Sequence, residues 1–381
     1  MLADGFFLVL VFVLPYATPG LGSEPAIDRE DYARLTTFHK LNGSSMLNHL
    51  IKSMEVRNSI ECAFDCLNHP YCQSINYQSQ GNPRHLCELS SNTIAAKPMC
   101  AQSRPGFDYY APKVSSEEVV NPCLDSPCKN GAACSLVCST QEQYQCLNCS
   151  KYNTGLNCDG WTVPVSSCKD IYEKTNHRRD MAYTFVTEGQ QTDVFCHMTE
   201  ITGCGAGGWT LTMKIDGAKN TFGHSSSYWS NKIAYNLAAG KTGFDSMETK
   251  MPSYWGVSFS AICVGFTVNG VTNFATIPYT ATSLHDVIAS GSERVVALLG
   301  RSKWKSMIAG SSLQPYCNRE GFNLQLVRIG IMTNNENDCG STDSFIGYGG
   351  SVSVTCGNRC YSSFCSNGEK TVSAVGYILV K

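Results

Sequence analysis

Residues 203–208 read GCGAGG, which fits G-x-G-x-x-G, the pattern of a glycine-rich loop that binds dinucleotide phosphates. Such a loop follows a buried strand and opens a helix, because the N-terminus of the helix must face the phosphates. Here the next residues, 209–215, are mostly apolar and β-branched and therefore predict a strand. Cys196 and Cys204 lie before and within the loop, and half-cystines are not a feature of cytosolic phosphate loops. We therefore expect a tight glycine turn that leads into a strand.

Two further motifs match parts of catalytic or metal sites, but the sequence lacks the partners that those sites require. Cys146 and Cys149 are spaced like a redox dithiol or half of a zinc site, yet no second C-x-x-C or histidine pair stands at zinc-finger distance. HRRD, at residues 177–180, matches part of a kinase catalytic loop, but no phosphate loop or DFG sequence accompanies it. It is therefore expected to be a charged surface turn. Because G-x-S-x-G and H-E-x-x-H are also missing, we predict that the protein is not an enzyme.

Composition limits the class of protein. The chain has 381 residues, 21 cysteines and only 16% charged residues. The length predicts two to four domains of about 100–200 residues each. The formal net charge is −2, and no run of Lys or Arg is longer than the HRR at residues 177–179, so a basic face that binds nucleic acid is excluded.

The N-terminal segment has the pattern of a secretory signal. Residues 6–16 read FFLVLVFVLPY, and small residues follow up to Gly22, so we predict a signal peptide over residues 1–22. The apolar run is shorter than the roughly 18–20 residues that cross a bilayer, and no longer run follows. We therefore expect a secreted protein without a membrane span, in which the cysteines form disulfides because the extracellular space is oxidising.

The cysteines fall into three groups, separated by joints at residues 111–122 and 159–167 that contain Pro, Ser or Glu and are typical of domain boundaries. In the first group, Cys62 and Cys66 lie four residues apart on one face of a predicted helix with Ser59 as its N-cap. The sequences CQSINYQ and CELS predict strands after this helix.

The first group resembles a PAN or apple module over residues 33–110. The residues that carry the resemblance are Cys62, Cys66, Cys72, Asn76, Tyr77, Cys87 and Leu89. It implies an α+β fold in which disulfides join the helix to the sheet. The implied pairs are Cys62 with Cys87 and Cys66 with Cys72.

The second group resembles an EGF-like module over residues 119–159, a small β fold, and contains the sequences KNG and YNTGLNC. The resemblance implies three pairs: Cys123 with Cys134, Cys128 with Cys146, and Cys149 with Cys158. A unit of about forty residues buries too little apolar surface to fold without such bridges. No acidic residue stands just before Cys123, so we expect a spacer that binds no calcium.

The third group, residues 166–381, resembles a fibrinogen-like domain, the α+β fold that is also the core of intelectin-type lectins. SCKDIYEK, FVTEGQQTDVFCHMTE and GGWTLTMKIDG carry the resemblance. It implies that Gly207, Gly208 and Trp209 form a turn into a central strand. It also implies two bridges, Cys168 with Cys196 and Cys339 with Cys356.

Several cysteines remain outside these patterns. Cys100 and Cys138 are each left over in neighbouring modules, and we predict a disulfide between them. Cys263 lies in the apolar run AICVGFTV and is our candidate for a buried free thiol. The alternative is that Cys263 pairs with Cys204 or Cys317. The sequence assigns no partner to Cys360 or Cys365.

The fibrinogen-like resemblance also implies a calcium site before the second bridge. The run at residues 334–338 supplies oxygen ligands, and we expect Asn335, Glu336 and Asp338 to hold the ion, with no other cofactor required. The alternative is a solvated turn, since the aspartate spacing of the family is missing. The sequence GGSVSVTC, at residues 349–356, replaces the aromatic pair of the family's recognition pocket and argues against carbohydrate binding there.

Two sequons, at Asn42 and Asn148, predict acceptors for N-glycosylation. In the second, the half-cystine Cys149 occupies the middle position and disfavours modification.

The order of the three modules resembles that of secreted cnidarian proteins, in particular the skeletal organic matrix proteins of stony corals. This resemblance implies a non-enzymatic adhesive scaffold in a calcified extracellular matrix, with matrix proteins, glycans and mineral as partners. The near-neutral charge argues against nucleation of mineral by massed carboxylates. The alternative is a soluble fibrinogen-like or intelectin-like lectin in microbial recognition.

Overall fold

The structure is a computed structural model that describes residues 5–12, 33–81, 83–112, 121–138, 144–351 and 353–381. The described residues form two compact units. The N-terminal unit contains the residues up to Pro127 together with Ala133–Leu147, and the C-terminal unit contains Cys128–Ala132 together with Asn148–Lys381. The predicted EGF-like range, 119–159, therefore contributes to both units.

The N-terminal unit is built on one six-stranded antiparallel sheet and one α-helix. Its elements are β1 (Gly5–Phe12), β2 (Ala33–Met46), β3 (Leu50–Val56), α1 (Ser59–Leu67), β4 (Ser74–Gln78), β5 (His85–Ser90), a 3-10 turn at Pro98–Cys100, β6 (Ala101–Pro112), a 3-10 turn at Pro122–Asp125, and the antiparallel pair β7 (Ala133–Leu136) and β8 (Tyr144–Leu147). The large sheet has the order β1-β2-β6-β4-β5-β3. β1 falls within the predicted signal peptide, and the predicted cleavage position near Gly22 lies outside the described residues.

Helix α1 forms where the sequence predicts it, but its N-cap is Asn58 and not Ser59. Asn58 has an extended backbone, and its Oδ1 accepts a hydrogen bond from the amide of Glu61 at 3.0 Å, which satisfies one of the free donors of the first turn. Cys62 and Cys66 lie on the buried face of the helix. They bond to Cys87 and Cys72, which are the pairs that the PAN resemblance implies.

A buried asparagine joins β4 to the end of β2. The Oδ1 atom of Asn76 accepts from the amide of Met46 at 2.7 Å, and its Nδ2 atom donates to the carbonyl of Met46 at 3.0 Å and to Glu88 at 3.0 Å. Arg104 donates to the same carboxylate at 2.8 Å. Because Asn76 meets almost all of its hydrogen-bonding capacity inside the sheet, it fixes the position of Met46 against β4.

The C-terminal unit contains two large antiparallel sheets. Its strands are β9 (Asn153–Thr154), β10 (Gly160–Trp161), β11 (Met181–Thr187), β12 (Gln190–His197), β13 (Trp209–Asp216), β14 (Thr249–Lys250), β15 (Phe259–Val268), β16 (Val271–Ala281), β17 (Arg294–Val295), β18 (Tyr316–Phe322), β19 (Val327–Asn334), β20 (Ser344–Gly350), β21 (Cys356–Cys360), β22 (Lys370–Ser373) and β23 (Val375–Val380). Its helices are α2 (Cys168–Lys174), α3 (Ser253–Gly256), α4 (Leu284–Ile288) and α5 (Arg301–Met307), with 3-10 turns at Ser227–Trp229 and Ala239–Lys241.

One hydrophobic core connects both sheets of this unit. The first sheet has the order β11-β12-β13-β23-β15-β16, with β14 paired to β13, and the second has the order β17-β18-β19-β20-β21-β22. β13 and β23 are buried along almost their whole length, as expected for central strands. Tyr348 of the second sheet stacks on Phe266 of the first, with ring centroids 4.5 Å apart, and its hydroxyl donates to the carbonyl of Gly265 at 2.8 Å.

The glycine turn before β13 confirms the prediction that the G-x-G-x-x-G match leads into a strand. Gly203 and Gly208 have positive φ values of 96° and 93°, which favour glycine. A Cβ atom on Gly207 would come within 1.8 Å of the carbonyl oxygen of Met198. β13 begins directly afterwards, at Trp209.

The described chain is mostly β, with few and short helices. Within the described residues, every helix is too short or too polar to span a bilayer.

All cysteines lie among the described residues, and every one except Cys356 is disulfide-bonded. The pairs include Cys62–Cys87, Cys66–Cys72, Cys100–Cys138, Cys123–Cys134, Cys149–Cys158, Cys168–Cys196, Cys204–Cys263, Cys317–Cys339 and Cys360–Cys365. Cys128 and Cys146 are both disulfide-bonded, and their pairing with each other stays a prediction.

Two cysteine assignments for the C-terminal unit are wrong. Cys339 pairs with Cys317 and not with Cys356, because an irregularity in β18 places Cys317 beside the turn that follows β19. Cys356 is instead buried at the start of β21 and is the free thiol. Cys263 is not free, because it bonds to Cys204 of the glycine turn, as one of the two alternatives proposed.

Candidate binding sites

The predicted calcium turn is closed by its own hydrogen bonds. Nδ2 of Asn334, at the buried end of β19, donates to the carbonyl of Asp338 at 2.8 Å and to Ser341 at 3.1 Å. Oδ1 of Asp338 accepts from the amide of Gly340 at 3.0 Å. Within the described residues, no group of three His, Cys, Asp or Glu ligands forms around Glu336 and Asp338. Calcium binding by Asn335, Glu336 and Asp338 therefore stays a prediction.

The HRRD turn has a structural role. Asp180 accepts from the amides of Met198 at 2.5 Å and Thr199 at 2.9 Å, and from the hydroxyl of Thr199 at 2.7 Å. Burial alone would raise the pKa of Asp180, but these hydrogen bonds outweigh burial and hold the pKa below its ordinary value. Arg178 lies over the ring of Tyr172, 4.2 Å from its centroid. The charged groups of this turn thus fix its own backbone and that of residues 198–199.

The CLNC motif and the two glycosylation sequons differ in their structural settings. Cys149 of CLNC bonds to Cys158, so the motif holds no dithiol. Both sequon residues, Asn42 and Asn148, are exposed, and their glycosylation stays a prediction.

The KNG turn, at residues 129–131, is anchored within the C-terminal unit. The side chain of Asn130 is buried, accepts from the amide of Thr184 at 3.0 Å and donates to the carbonyl of Cys158 at 2.8 Å. Asp193 accepts from the ammonium groups of Lys129 and Lys241, each at 2.9 Å. Burial would raise the pKa of Asp193, but hydrogen bonds from Thr184 and the two lysines lower it to about 2. The sequence pattern of the KNG turn does not by itself indicate these contacts.

A pocket of about 500 Å³ opens on the C-terminal unit, and we call it the aromatic pocket. Phe244 is one of its lining residues, and its ring centroid lies 5.2 Å from that of His197, 4.8 Å from that of Phe274 and 4.9 Å from that of Tyr377. The lining consists of β12 and the following turn, β16, α5 and Phe244: His197, Glu200, Ile201, Thr202, Gly203, Phe244, Thr272, Asn273, Phe274, Lys303, Ser306 and Met307.

The aromatic pocket combines an apolar face with groups that donate and accept hydrogen bonds. Glu200 and Lys303 are exposed and carry opposite charges, and Asn273 donates to the carbonyl of Met307 at 3.2 Å. Burial lowers the pKa of His197 below its ordinary value, which favours the neutral imidazole. A ring face beside such polar groups suits a ligand with one apolar and one polar side, such as a sugar ring or an amphipathic side chain.

A buried lysine without a carboxylate partner lies in the same unit. The side chain of Lys250 is fully buried, and its Nζ atom donates to the carbonyl and the Oδ1 atom of Asn231 at 2.6 and 2.9 Å. The rings of Tyr254 and Trp255 lie 4.8 and 5.3 Å from Nζ. Burial lowers the pKa of Lys250 to about 8.

Lys250→Met is expected to remove part of the pH dependence of stability. Between pH 8 and about 10.5, folded Lys250 has lost its proton while the unfolded chain retains it, so the free energy of unfolding rises with pH, by about 3 kcal/mol in total for a shift of this size. Denaturant titrations from pH 7.5 to 10.5 should show a smaller rise in the variant. Equal slopes for the two proteins would contradict a lowered pKa of Lys250 in the folded state.

On the N-terminal unit, helix α1 exposes an apolar face. Ile60 and Phe64 lie one helical turn apart and are 48% and 41% exposed, and Tyr71, just after the helix, is 73% exposed. We call Ile60 and Phe64 the outer face of α1. The disulfides of Cys62 and Cys66 hold the opposite side of the helix to the unit. Exposed apolar residues that lie one helical turn apart, such as Ile60 and Phe64, are typical of protein-binding surfaces.

Comparison with protein families matches residues 36–114 to the PAN domain, a range that overlaps the predicted 33–110 and runs through strands β2 to β6. No curated protein matches the chain. The N-terminal unit thus contains a PAN domain, and PAN domains typically bind proteins or carbohydrates. This domain and the extensive disulfides are consistent with an extracellular protein. The EGF-like and fibrinogen-like assignments stay predictions.

Proposed function

We propose that the protein is a secreted, non-enzymatic adhesion protein of the extracellular matrix, in which the PAN domain binds a matrix protein and the rest of the chain serves as a scaffold. The observation that carries the proposal is the PAN domain at residues 36–114, within a chain whose cysteines are almost all paired. The outer face of α1 supplies a contact surface that is already ordered. A helix fixed by two disulfides loses little conformational freedom on binding, which favours affinity.

Replacing Ile60 and Phe64 together with serine is expected to weaken binding to matrix protein at least about tenfold, because apolar anchors contribute most of the energy of such contacts. The measurement is binding of the purified chain to immobilised matrix proteins, such as fibrillar collagen, with circular dichroism to verify the fold. The matched control is Val271→Ser, since Val271 is 63% exposed on the C-terminal unit. Equal loss in both proteins, or no loss in the double variant, would contradict a role for this face.

The module order supports a more specific form of the proposal, a calcified skeletal matrix. In that setting the protein would remain with the mineral after salt washing and be released only when the mineral is dissolved. Sequential extraction of the tissue, followed by detection with an antibody, tests this form. Release by salt alone would restrict the proposal to an uncalcified matrix.

The aromatic pocket favours a second candidate function, a soluble lectin. Its apolar face and its flanking polar groups suit a sugar. A glycan array with and without calcium separates the two functions. Sugar binding that is lost in Phe244→Ala favours the lectin, and no sugar binding favours the scaffold.

A further inference from the structure

Three side chains of the N-terminal unit meet in an arrangement that neither the PAN domain nor the proposed function explains. A ring nitrogen of His49 and the sulfur atoms of Cys100 and Cys138 all lie within 4.8 Å of one another. His49 follows β2, Cys100 ends the 3-10 turn before β6, and Cys138 lies two residues after β7. Among the described residues, this is the one group of three potential His, Cys, Asp or Glu ligands at such distances.

His49 is buried without a partner for one of its nitrogen atoms. His49 is only 7% exposed, and its Nε2 atom forms no hydrogen bond. Its carbonyl, in contrast, accepts from the amide of Ser91 at 2.8 Å, so its backbone is held in place. A buried polar atom without a partner destabilises the folded chain, and a group that bound to Nε2 would remove this penalty.

The two sulfur atoms differ in access to solvent. Cys100 is fully buried, whereas Cys138 is only partly buried. Asn48 donates to the carbonyl of Cys138 at 2.9 Å, and the amide of Leu47 donates to the carbonyl of Cys100 at 2.9 Å. The side-chain amide of Asn48 and the backbone amide of Leu47 therefore hold both cysteines beside His49 independently of the bond between the sulfur atoms.

We infer that the Cys100–Cys138 disulfide is reducible by an external thiol and that its open form binds one zinc ion through Cys100, Cys138 and His49. The thiolate of the reductant attacks the accessible Sγ of Cys138, the bond between the two sulfur atoms breaks, and its electron pair leaves with Sγ of Cys100. A second thiol then displaces Cys138 and forms the disulfide of the reductant. Two thiols are thus oxidised, the bridge gains two electrons, and the thiol protons pass to the two cysteines.

The ligand set suits zinc. Two thiolates balance the charge of Zn²⁺, so the ion can enter a largely buried position without adding net charge, and the two protons are released on binding. The third ligand is the imidazole of His49, a ring nitrogen of which lies within 4.8 Å of both sulfur atoms. Zinc prefers four ligands in a tetrahedron, so one position is left for water.

The experiment uses the full secreted chain, a graded series of dithiothreitol concentrations and zinc chloride as the probe. Alkylation and peptide mapping should show Cys100 and Cys138 opened at reductant levels that leave the fully buried Cys62–Cys87 bridge closed. Native mass spectrometry should then find one zinc ion per chain, and Co²⁺ in its place should give the absorption bands of a tetrahedral thiolate site. Opening of Cys62–Cys87 first, or no metal uptake after opening, would overturn the inference.

Two variants test whether His49 is a zinc ligand or only a buried side chain beside the two cysteines. His49→Gln is expected to open under the same conditions and to bind zinc at least about tenfold more weakly, because one ligand is lost. The matched control, Cys100→Ser with Cys138→Ser, should bind none. Zinc affinity in His49→Gln equal to that of the original chain would exclude His49 as a ligand and overturn the three-ligand site. Binding to matrix protein is measured in parallel on the unreduced chain. A loss of matrix binding there would count against the adhesion proposal and not against the zinc site.

Discussion

Removing the Cys204–Cys263 disulfide by alanine substitution at both positions is expected to lower the free energy of unfolding of the C-terminal unit by about 4 kcal/mol. The bridge closes a loop with a sequence separation of 59, and closing a loop of that size restricts the unfolded chain strongly in the chain-entropy model. It also joins the glycine turn before β13 to the core strand β15. Urea denaturation followed by tryptophan fluorescence measures the effect, since all tryptophans lie in the C-terminal unit.

The Cys360–Cys365 bridge provides the matched control in the same unit. Its sequence separation is only 5, so the same model gives a loss of about 2 kcal/mol for the corresponding alanine variant. A loss in the control as large as that in the first variant would contradict the dependence on loop length. In that case local contacts around the sulfur atoms, and not restriction of the unfolded chain, would account for the stability.

Replacing Trp304 with alanine is expected to cost about 3–5 kcal/mol, the range for truncation of a large buried aromatic side chain. Trp304 of α5 is fully buried, and its Nε1 donates to Glu320 of β18 at 2.9 Å. Glu320 also accepts from the amides of Leu299 and Gly300, at 2.9 and 3.1 Å. Loss of Trp304 therefore leaves a cavity and removes one of the hydrogen bonds that join α5 to β18, and urea denaturation measures the cost.

Trp304→Phe is the conservative variant. It keeps one buried aromatic ring but loses the hydrogen bond to Glu320 and part of the buried volume, so we expect a cost of at least about 1.5–3 kcal/mol, the range for a bond to a charged group. The exposed Phe364→Ala should change stability by less than about 0.5 kcal/mol. Equal costs for Trp304→Ala and Phe364→Ala would contradict the burial of Trp304. Because α5 contributes Lys303, Ser306 and Met307 to the aromatic pocket, ligand binding there should weaken together with stability.

Local patterns in the sequence predict the local structure well. The four-residue spacing of Cys62 and Cys66 indicates a helix with one buried face, and the structure has this helix at Ser59–Leu67. The apolar and β-branched run after Gly208 indicates a strand, and it forms β13. Both predictions depend only on neighbours within a few residues, where periodicity and backbone preference act directly.

Long-range pairing of cysteines was less accessible from the sequence. The odd number of cysteines in residues 166–381 requires a leftover sulfur, but it does not identify Cys356. The partner of Cys339 depends on an irregularity in the pairing of β18 with β19, which brings Cys317 near it. Such a register shift has no signature in the composition of either strand.

The sequence also does not predict the aromatic pocket or the burial of Lys250. The aromatic pocket joins residues from His197 to Met307 that are far apart in sequence, so no local motif indicates it. Lys250 is similar, since nothing in the surrounding sequence distinguishes it from an exposed lysine, yet three aromatic rings surround its ammonium group. Burial of a charge is decided by packing between distant segments, and only the folded structure shows it.

Because Cys356 is a buried free thiol, its chemical reactivity can report transient opening of the C-terminal unit. The thiol is fully buried, and burial raises its pKa well above the ordinary value, so it is protonated and out of reach while the unit is folded. A small chromogenic disulfide reagent can modify it only in molecules that have transiently opened. The rate at which the reagent modifies Cys356 in native buffer would therefore report how often β21 separates from the strands that cover it. No engineered cysteine is needed for this measurement.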